Sequence, residues 1–159
     1  MISVASDNLI RIHNHPSQGD SFTLIKNGCI NHAEILSAER WVSCSLLFPE
    51  NEWTFWLKPN DDSHVFFYVE KNNVFSFTRD ERPGETCYGI RPVLVLNTSS
   101  LIPGETVIVE NTCFTAISHN EIMADDVLME AFLDEFYTPD LKFPYIYQRI
   151  NSSELLDVL

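Results

Sequence analysis

The chain has 159 residues, 45% of them apolar and 12% aromatic, and a formal net charge of −13. That much apolar material can build one good core, which argues against a disordered chain and leads us to expect a single domain over residues 1–159. The excess of carboxylates repels a nucleic-acid backbone and an anionic membrane, and it attracts a basic protein surface.

The start of the chain, "MISVASDNLIRIH", has no basic segment followed by an apolar run. No window approaches the roughly 18 consecutive apolar residues of a membrane span, so a soluble, cytoplasmic protein is expected. Next comes "RIHNHPSQGD", in which His13, His15 and Pro16 form the H-x-H-P spacing of the JAMM metalloproteases. Alternate residues of a strand face one way and can share a metal ion. The rest of that pattern fails: Lys26 stands near the place of the downstream Asp ligand, and Asp7 is the one acid upstream, where a Glu base belongs. Asp20 would be an improvised third ligand. No metal and no cofactor is expected.

"SFTLIK" (Ser21–Lys26) reads as a strand and "NHAEILSAERW" (Asn31–Trp41) as a helix. Beyond Pro49, "TFWLK" (Thr54–Lys58), "VFFYVE" (Val65–Glu70) and "VFSFT" (Val74–Thr78) carry the β-branched and aromatic residues of strands. Between the last two, Asn72 and Asn73 suit the positive φ angles of a tight hairpin. "RDERPGET" (Arg79–Thr86) is a charged loop. "YGIRPVLVL" (Tyr88–Leu96) reads as one strand whose Pro92 belongs at an edge or a bulge. "TVIVE" and "CFTAI" add two more. Cys29, Cys44, Cys87 and Cys113 lack any C-x-x-C pair and are read as buried free thiols rather than a zinc site.

The last third becomes more acidic. Residues 1–102 hold 12 acidic and 8 basic side chains, and residues 103–159 hold 11 and 2. Ser118 and Glu121 match a capping box and predict a helix over about 119–137, stopping before Pro139. Helical spacing gathers Ile122, Leu128, Met129, Phe132, Leu133 and Phe136 on one side. It sets Asp126, Glu130 and Asp134 in an acidic stripe on another, with Glu121, Asp125 and Glu135 nearby. Carboxylates so spaced lie about 6 Å apart, a separation comparable to that of phosphates along a nucleic-acid strand.

The stretch Phe55–Ile102 resembles a bacterial domain of unknown function that shows YWLRSP, a middle strand and a closing YGVRPAL. Here Phe55-Trp56-Leu57-Lys58 stands for the first motif, Tyr68-Val69 opens the middle strand, and Tyr88-Gly89-Ile90-Arg91-Pro92-Val93-Leu94 stands for the last. That domain belongs to the broad C-type-lectin-like group, which includes formylglycine-generating-enzyme-like modules. The resemblance covers about a third of the chain and implies a β-ribbon packing Trp56, Tyr88 and the Val/Leu run into one core, with Arg91 bracing a loop. Asn73 departs from the usual turn glycine, and Pro59-Asn60 from Ser-Pro. Lys58-Pro59-Asn60-Asp61 approaches the E-P-N calcium and sugar motif of lectins, but Lys58 puts a cation where a carboxylate ligand belongs.

Cys87 and His64 have the chemistry of a nucleophile and a base but no motif joins them, so no catalytic residue is expected. The fold expectation is α+β: a twisted antiparallel sheet with a C-type-lectin-like core (1–102) and an acidic C-terminal extension with its helix (103–159). The expected function is a non-catalytic interaction protein whose acidic surface (Glu121, Asp125, Asp126, Glu130, Asp134, Glu135) binds a basic protein partner. Its concrete form is a phage or mobile-element inhibitor of a nucleic-acid-handling enzyme, of anti-CRISPR or anti-restriction type. The alternative is a lectin-like module that recognises a glycan or peptide through the loops Lys58–His64 and Arg79–Thr86.

Overall fold

A computed structural model describes residues 2–4, 9–13, 21–25, 30–49, 51–59, 65–97, 100–136 and 149–151, the first three segments as strand backbone. The described residues are mostly β-sheet with one short α-helix. In chain order they are β1 (Ile2–Val4), β2 (Leu9–His13), β3 (Ser21–Ile25), β4 (Ile30–Glu34), α1 (Ala38–Cys44), β5 (Phe55–Trp56), β6 (Val65–Glu70), β7 (Asn73–Thr78), β8 (Cys87–Ile90), β9 (Val93–Leu96), β10 (Thr106–Val109), β11 (Thr112–Ala116), β12 (Glu121–Ala124) and β13 (Met129–Phe132). Short 3-10 turns lie at Ser45–Leu47, Arg79–Glu81 and Leu133–Phe136. No helix among these residues is long and apolar enough to cross a membrane.

The chain folds into two compact units and passes through each twice. One comprises Met1–Ala33 and Val93–Asp125, the other Glu34–Pro92 and Asp126–Val158. The first unit holds an eight-stranded sheet in the order β1-β2-β3-β10-β11-β12-β9-β4, antiparallel at most pairings and parallel between β3 and β10. Its core is built by Val93, Leu94, Val107, Phe114, Ile122, Met123 and Ala124. The second holds a five-stranded sheet in the order β13-β8-β5-β6-β7.

In the five-stranded sheet, strand alternation sorts the side chains onto two faces. Trp41 of α1 packs edge-on against Phe55 at 5.1 Å and stacks with Phe48 at 5.8 Å, on one face. On the other, Trp56 lies 4.8 Å from Tyr88 and 5.0 Å from Phe136, and its Nε1 donates to the Ala131 carbonyl at 2.8 Å. Burying each of these large side chains stabilises the unit by about 2–3 kcal/mol. Trp56 and Tyr88 thus share a core, whereas the Val93–Leu96 run belongs to the other sheet.

Several elements differ from the sequence reading. The helix expected over 119–137 gives way to β12, β13 and a 3-10 turn. Ile122, Met123 and Ala124 are consecutive and all buried, as in a strand covered on both faces, and residues 129–134 alternate inward and outward with period two. The Ser118–Glu121 box closes the turn between β11 and β12: Ser118 Oγ donates to Glu121 Oε1 at 2.9 Å, and the Ile117 N–H bonds the Glu121 carbonyl. Its hydrogen bonds are local and serve a turn as well as a helix start. Likewise, Asn31–Trp41 is half strand; the helix begins only at Ala38, where Ser37 Oγ accepts from the Arg40 N–H at 3.3 Å as N-cap.

Tyr88–Leu96 is two strands in two sheets. Pro92 has no N–H and restricts Arg91 before it, so the ladder ends there and the chain leaves one sheet for the other. In the β6–β7 turn the positive φ angles fall on Lys71 (50°) and Asn72 (66°), one residue earlier than expected, and Asn73 opens β7. Glu110 (47°) and Asn111 (70°) form the same kind of turn between β10 and β11. Cys44, Cys87 and Cys113 are free thiols, but none is fully buried: Cys87 is exposed and the other two are half-buried, while Cys29 lies outside the described residues.

Candidate partner interface

The six expected acidic residues do not form one stripe. Asp125 Oδ1 accepts from Thr115 Oγ1 at 2.6 Å, and Glu121 accepts from Ser118; both belong to the first unit. Glu135 forms an ion pair with Arg149 at 2.7 Å and accepts the Phe132 N–H at 2.8 Å. The Asp134 N–H bonds the Gly84 carbonyl at 3.1 Å, and its carboxylate fills the space that a Cβ on Gly84 would need. Three of those carboxylates, Asp125, Glu121 and Glu135, are employed in local structure, while Asp134 is exposed and lies against Gly84. Without a helix, the 6 Å spacing and the likeness to a phosphate ladder fall away.

Asp126 and Glu130 are different. Both are exposed, and each stands beside an exposed aromatic residue. Trp53, 43% exposed, donates from Nε1 to Asp126 Oδ1 at 3.2 Å. Phe132 is 50% exposed and pairs with Cys87 in the β13–β8 register, next to the Glu130–Gly89 pair. Directly opposed residues share a face, and the Cys87 Sγ lies 3.8 Å from Glu130 Oε2. Val127 packs against Gly89, where an added Cβ would collide with its methyl groups. The Gly89 N–H bonds the Thr54 carbonyl at 3.1 Å, drawing the Trp53 segment to the same strand. The result is a surface of two aromatic rings, two exposed carboxylates and a thiol. Partial burial and the neighbouring Glu130 charge push the Cys87 thiol above its ordinary pKa, so the sulfur is held protonated at neutral pH and is a weak nucleophile.

Sequence reasoning missed Trp53, Phe132 and Cys87 as surface residues. Helical spacing puts Phe132 on the apolar side of a helix, and only the period-two exposure of residues 129–134 reveals its direction. Trp53 carried one faint signal: a tryptophan in a polar, acidic loop.

Three arginines of this unit, Arg91, Arg82 and Arg149, are engaged by its own residues, whereas Lys58, Lys71 and Arg79 are exposed. Arg91 is 1% exposed, with its guanidinium 4.7 Å from the Phe48 ring, 4.8 Å from Phe55 and 5.7 Å from Trp41. It donates to Asn51 Oδ1 at 2.9 Å, so Arg91 does brace a loop. Arg82 donates to the Tyr88 hydroxyl at 2.5 Å and to the Tyr68 hydroxyl at 3.0 Å, and sits 4.8 Å over Phe77. Burial raises the Tyr88 phenol above its ordinary value, against the opposing pull of Arg82. Arg149 is spent on Glu135 and the Glu130 carbonyl.

Among the described residues no group of three or more His, Cys, Asp or Glu side chains is arranged to hold a metal ion. His13 closes β2, while His15, Asp20 and His64 lie outside the described residues, as does most of the Lys58–His64 loop. The Arg79–Thr86 loop is ordered by its own capping box, in which Glu81 Oε1 accepts from the Thr78 N–H at 2.8 Å and hydroxyl at 2.9 Å. Comparison of the chain with protein-family models, curated proteins and solved structures finds no match in any of the three.

Proposed function

We propose that this chain is a non-catalytic interaction protein that binds a basic partner through the surface around Trp53, Asp126, Glu130 and Phe132. The observation that carries this reading is the Trp53–Asp126 pair, a half-exposed tryptophan bonded to an exposed carboxylate. Half-exposed aromatic rings are the side chains that become binding hot spots, and a tryptophan flanked by carboxylates suits an arginine or lysine that stacks on the ring while its charge is neutralised. With a net charge of −13, and with Arg82, Arg91 and Arg149 held by residues of their own unit, the surrounding field draws a cationic partner and steers its approach. A nucleic-acid-handling enzyme, whose own groove is basic, is the partner class that fits this field best. The localisation that goes with such a partner is cytoplasmic.

For the fold we infer a C-type-lectin-like core. The residues that carry that resemblance, Trp56, Tyr88 and Arg91, are the ones that pack the second unit, which supports kinship in architecture. They are structural residues and bring no ligand with them.

The test is affinity capture from nuclease-treated bacterial lysate, using the wild-type chain and an Asp126→Lys/Glu130→Lys variant at low and high salt. Recovery of a basic nucleic-acid-handling protein that is lost in the variant and at high salt supports the reading. Equal recovery by a folded variant overturns it.

A further inference from the structure

The two edges of the five-stranded sheet are finished differently. At β13, side chains cap the outward backbone: Arg149 donates to the Glu130 carbonyl at 2.9 Å, and Glu135 accepts the Phe132 N–H at 2.8 Å. At β7 the backbone is open. Lys71 and Asn72 make a two-residue turn, so Glu70 and Asn73 are the closing hydrogen-bonded pair of the hairpin. Alternation along an antiparallel ladder then makes Tyr68–Phe75 and Phe66–Phe77 the other bonded pairs. The N–H and C=O of Val74 and Ser76 consequently point away from β6, and β7 is the last strand in the sheet order. Among the described residues nothing bonds to them. The open stretch ends at Thr78, whose N–H is taken by Glu81.

The side chains beside this edge have an unfinished pattern. A row of aromatic rings crosses the sheet: Trp56 lies 4.8 Å from Tyr88, Tyr88 stacks on Tyr68 at 4.6 Å, and Tyr68 stacks on Phe75 at 5.4 Å. The row stops at Phe75, which is 42% exposed. Exposed carboxylates flank the strand at both ends, Glu70 at one and Asp80 and Glu81 at the other, with Lys71 and Arg79 between them and solvent-facing as well. Glu81 stays anionic because its hydrogen bonds to Thr78 hold its carboxyl below the usual range. Within a chain of net charge −13, this edge carries three carboxylates against two bases.

We propose that β7 accepts an extended segment of a basic protein by strand addition. The segment bonds the backbone of Val74 and Ser76, sets an aromatic or branched apolar side chain beside Phe75, and places lysine or arginine toward the flanking carboxylates. A second copy of this chain is disfavoured as occupant by the repulsion between two such acidic molecules. This surface is separate from the one around Trp53, because β7 and β13 are opposite ends of the sheet order, and it does not rest on the function proposed above.

The probe is a library of short random peptides displayed on phage, selected against the immobilised full chain, with the strongest binder then synthesised and titrated. Ser76→Pro removes an outward N–H while leaving the β6 bonds intact, a substitution that edge strands tolerate. Peptides pairing an apolar core with flanking Lys or Arg are expected, their affinity falling by about tenfold or more with Ser76→Pro and staying level with Asp126→Lys/Glu130→Lys. Should Ser76→Pro fail to fold, amide exchange on the wild-type protein replaces it: bound peptide must slow the Val74 and Ser76 amides. The proposal is overturned by an absence of binders, by affinity that survives in a folded Ser76→Pro, by protection confined to other strands, or by a dimer that Ser76→Pro abolishes.

Discussion

The guanidinium of Arg91 and the backbone N–H of Trp53 meet on one atom, the Oδ1 of Asn51, at 2.9 and 3.1 Å. Asn51 completes the link by donating from Nδ2 to the Trp53 carbonyl at 3.2 Å. A cation buried among three rings thus positions a tryptophan at the surface. Lysine offers neither the planar fork nor the stacking surface, so Arg91→Lys is expected to cost about 2–4 kcal/mol in urea unfolding. In the same variant Trp53 should become more accessible to acrylamide quenching. Wild-type stability in Arg91→Lys would mean that the ring cage contributes little.

Gly89 marks a close approach rather than a turn. A Cβ there would run into the methyl groups of Val127, whose β-branched side chain has little freedom to yield, in a strand position that is fully covered. Gly89→Ala is expected to lower stability by about 1–3 kcal/mol through overpacking. Combined with Val127→Ala, which clears the space, the loss should fall well short of the sum of the two single losses. Strict additivity in that cycle would place the effect in the backbone instead.

Glu81 gives the Arg79–Thr86 loop a pH dependence of known sign. Its bonds from the Thr78 N–H and hydroxyl lower its pKa in the folded chain. A lowered folded-state pKa contributes stability above the ordinary carboxylate value, and that contribution is lost as pH falls through the depressed value. Wild type should therefore have the higher thermal midpoint against Glu81→Gln at neutral pH, with the gap closing in acid as Glu81 takes up its proton. A gap that persists at low pH would show that charge is not what the cap uses.

Local chemistry made part of this molecule legible. The runs Val65–Glu70 and Val74–Thr78, joined by a short polar turn, form the β6–β7 hairpin, and "TVIVE" and "CFTAI" form β10 and β11. Each depends on side-chain alternation and turn residues within a dozen positions, which the chain carries in itself. The candidate site was less legible. Asp126 and Glu130 were singled out as exposed acids and are exposed, but their partners Trp53 and Phe132 come to them through strand pairing, not through spacing along the chain.

What the sequence determined by itself is the acidity, the aromatic-rich β character and the positions of tight turns. What the tertiary structure alone decided is which competing local pattern wins. Residues 121–136 satisfy helical and strand periodicity together, and Ser118 with Glu121 can open a helix or close a turn. The backbone of β12 is bonded by β11 across a short turn and by β9, and that of β13 by β8, the last two strands being brought from farther back in the chain. Those long-range ladders bury Ile122, Met123, Ala124 and Ala131 at once, a gain that exceeds the few tenths of a kcal/mol per residue by which helix and strand propensities differ. The same contest split Tyr88–Leu96 at Pro92 and turned Phe132 outward to face solvent.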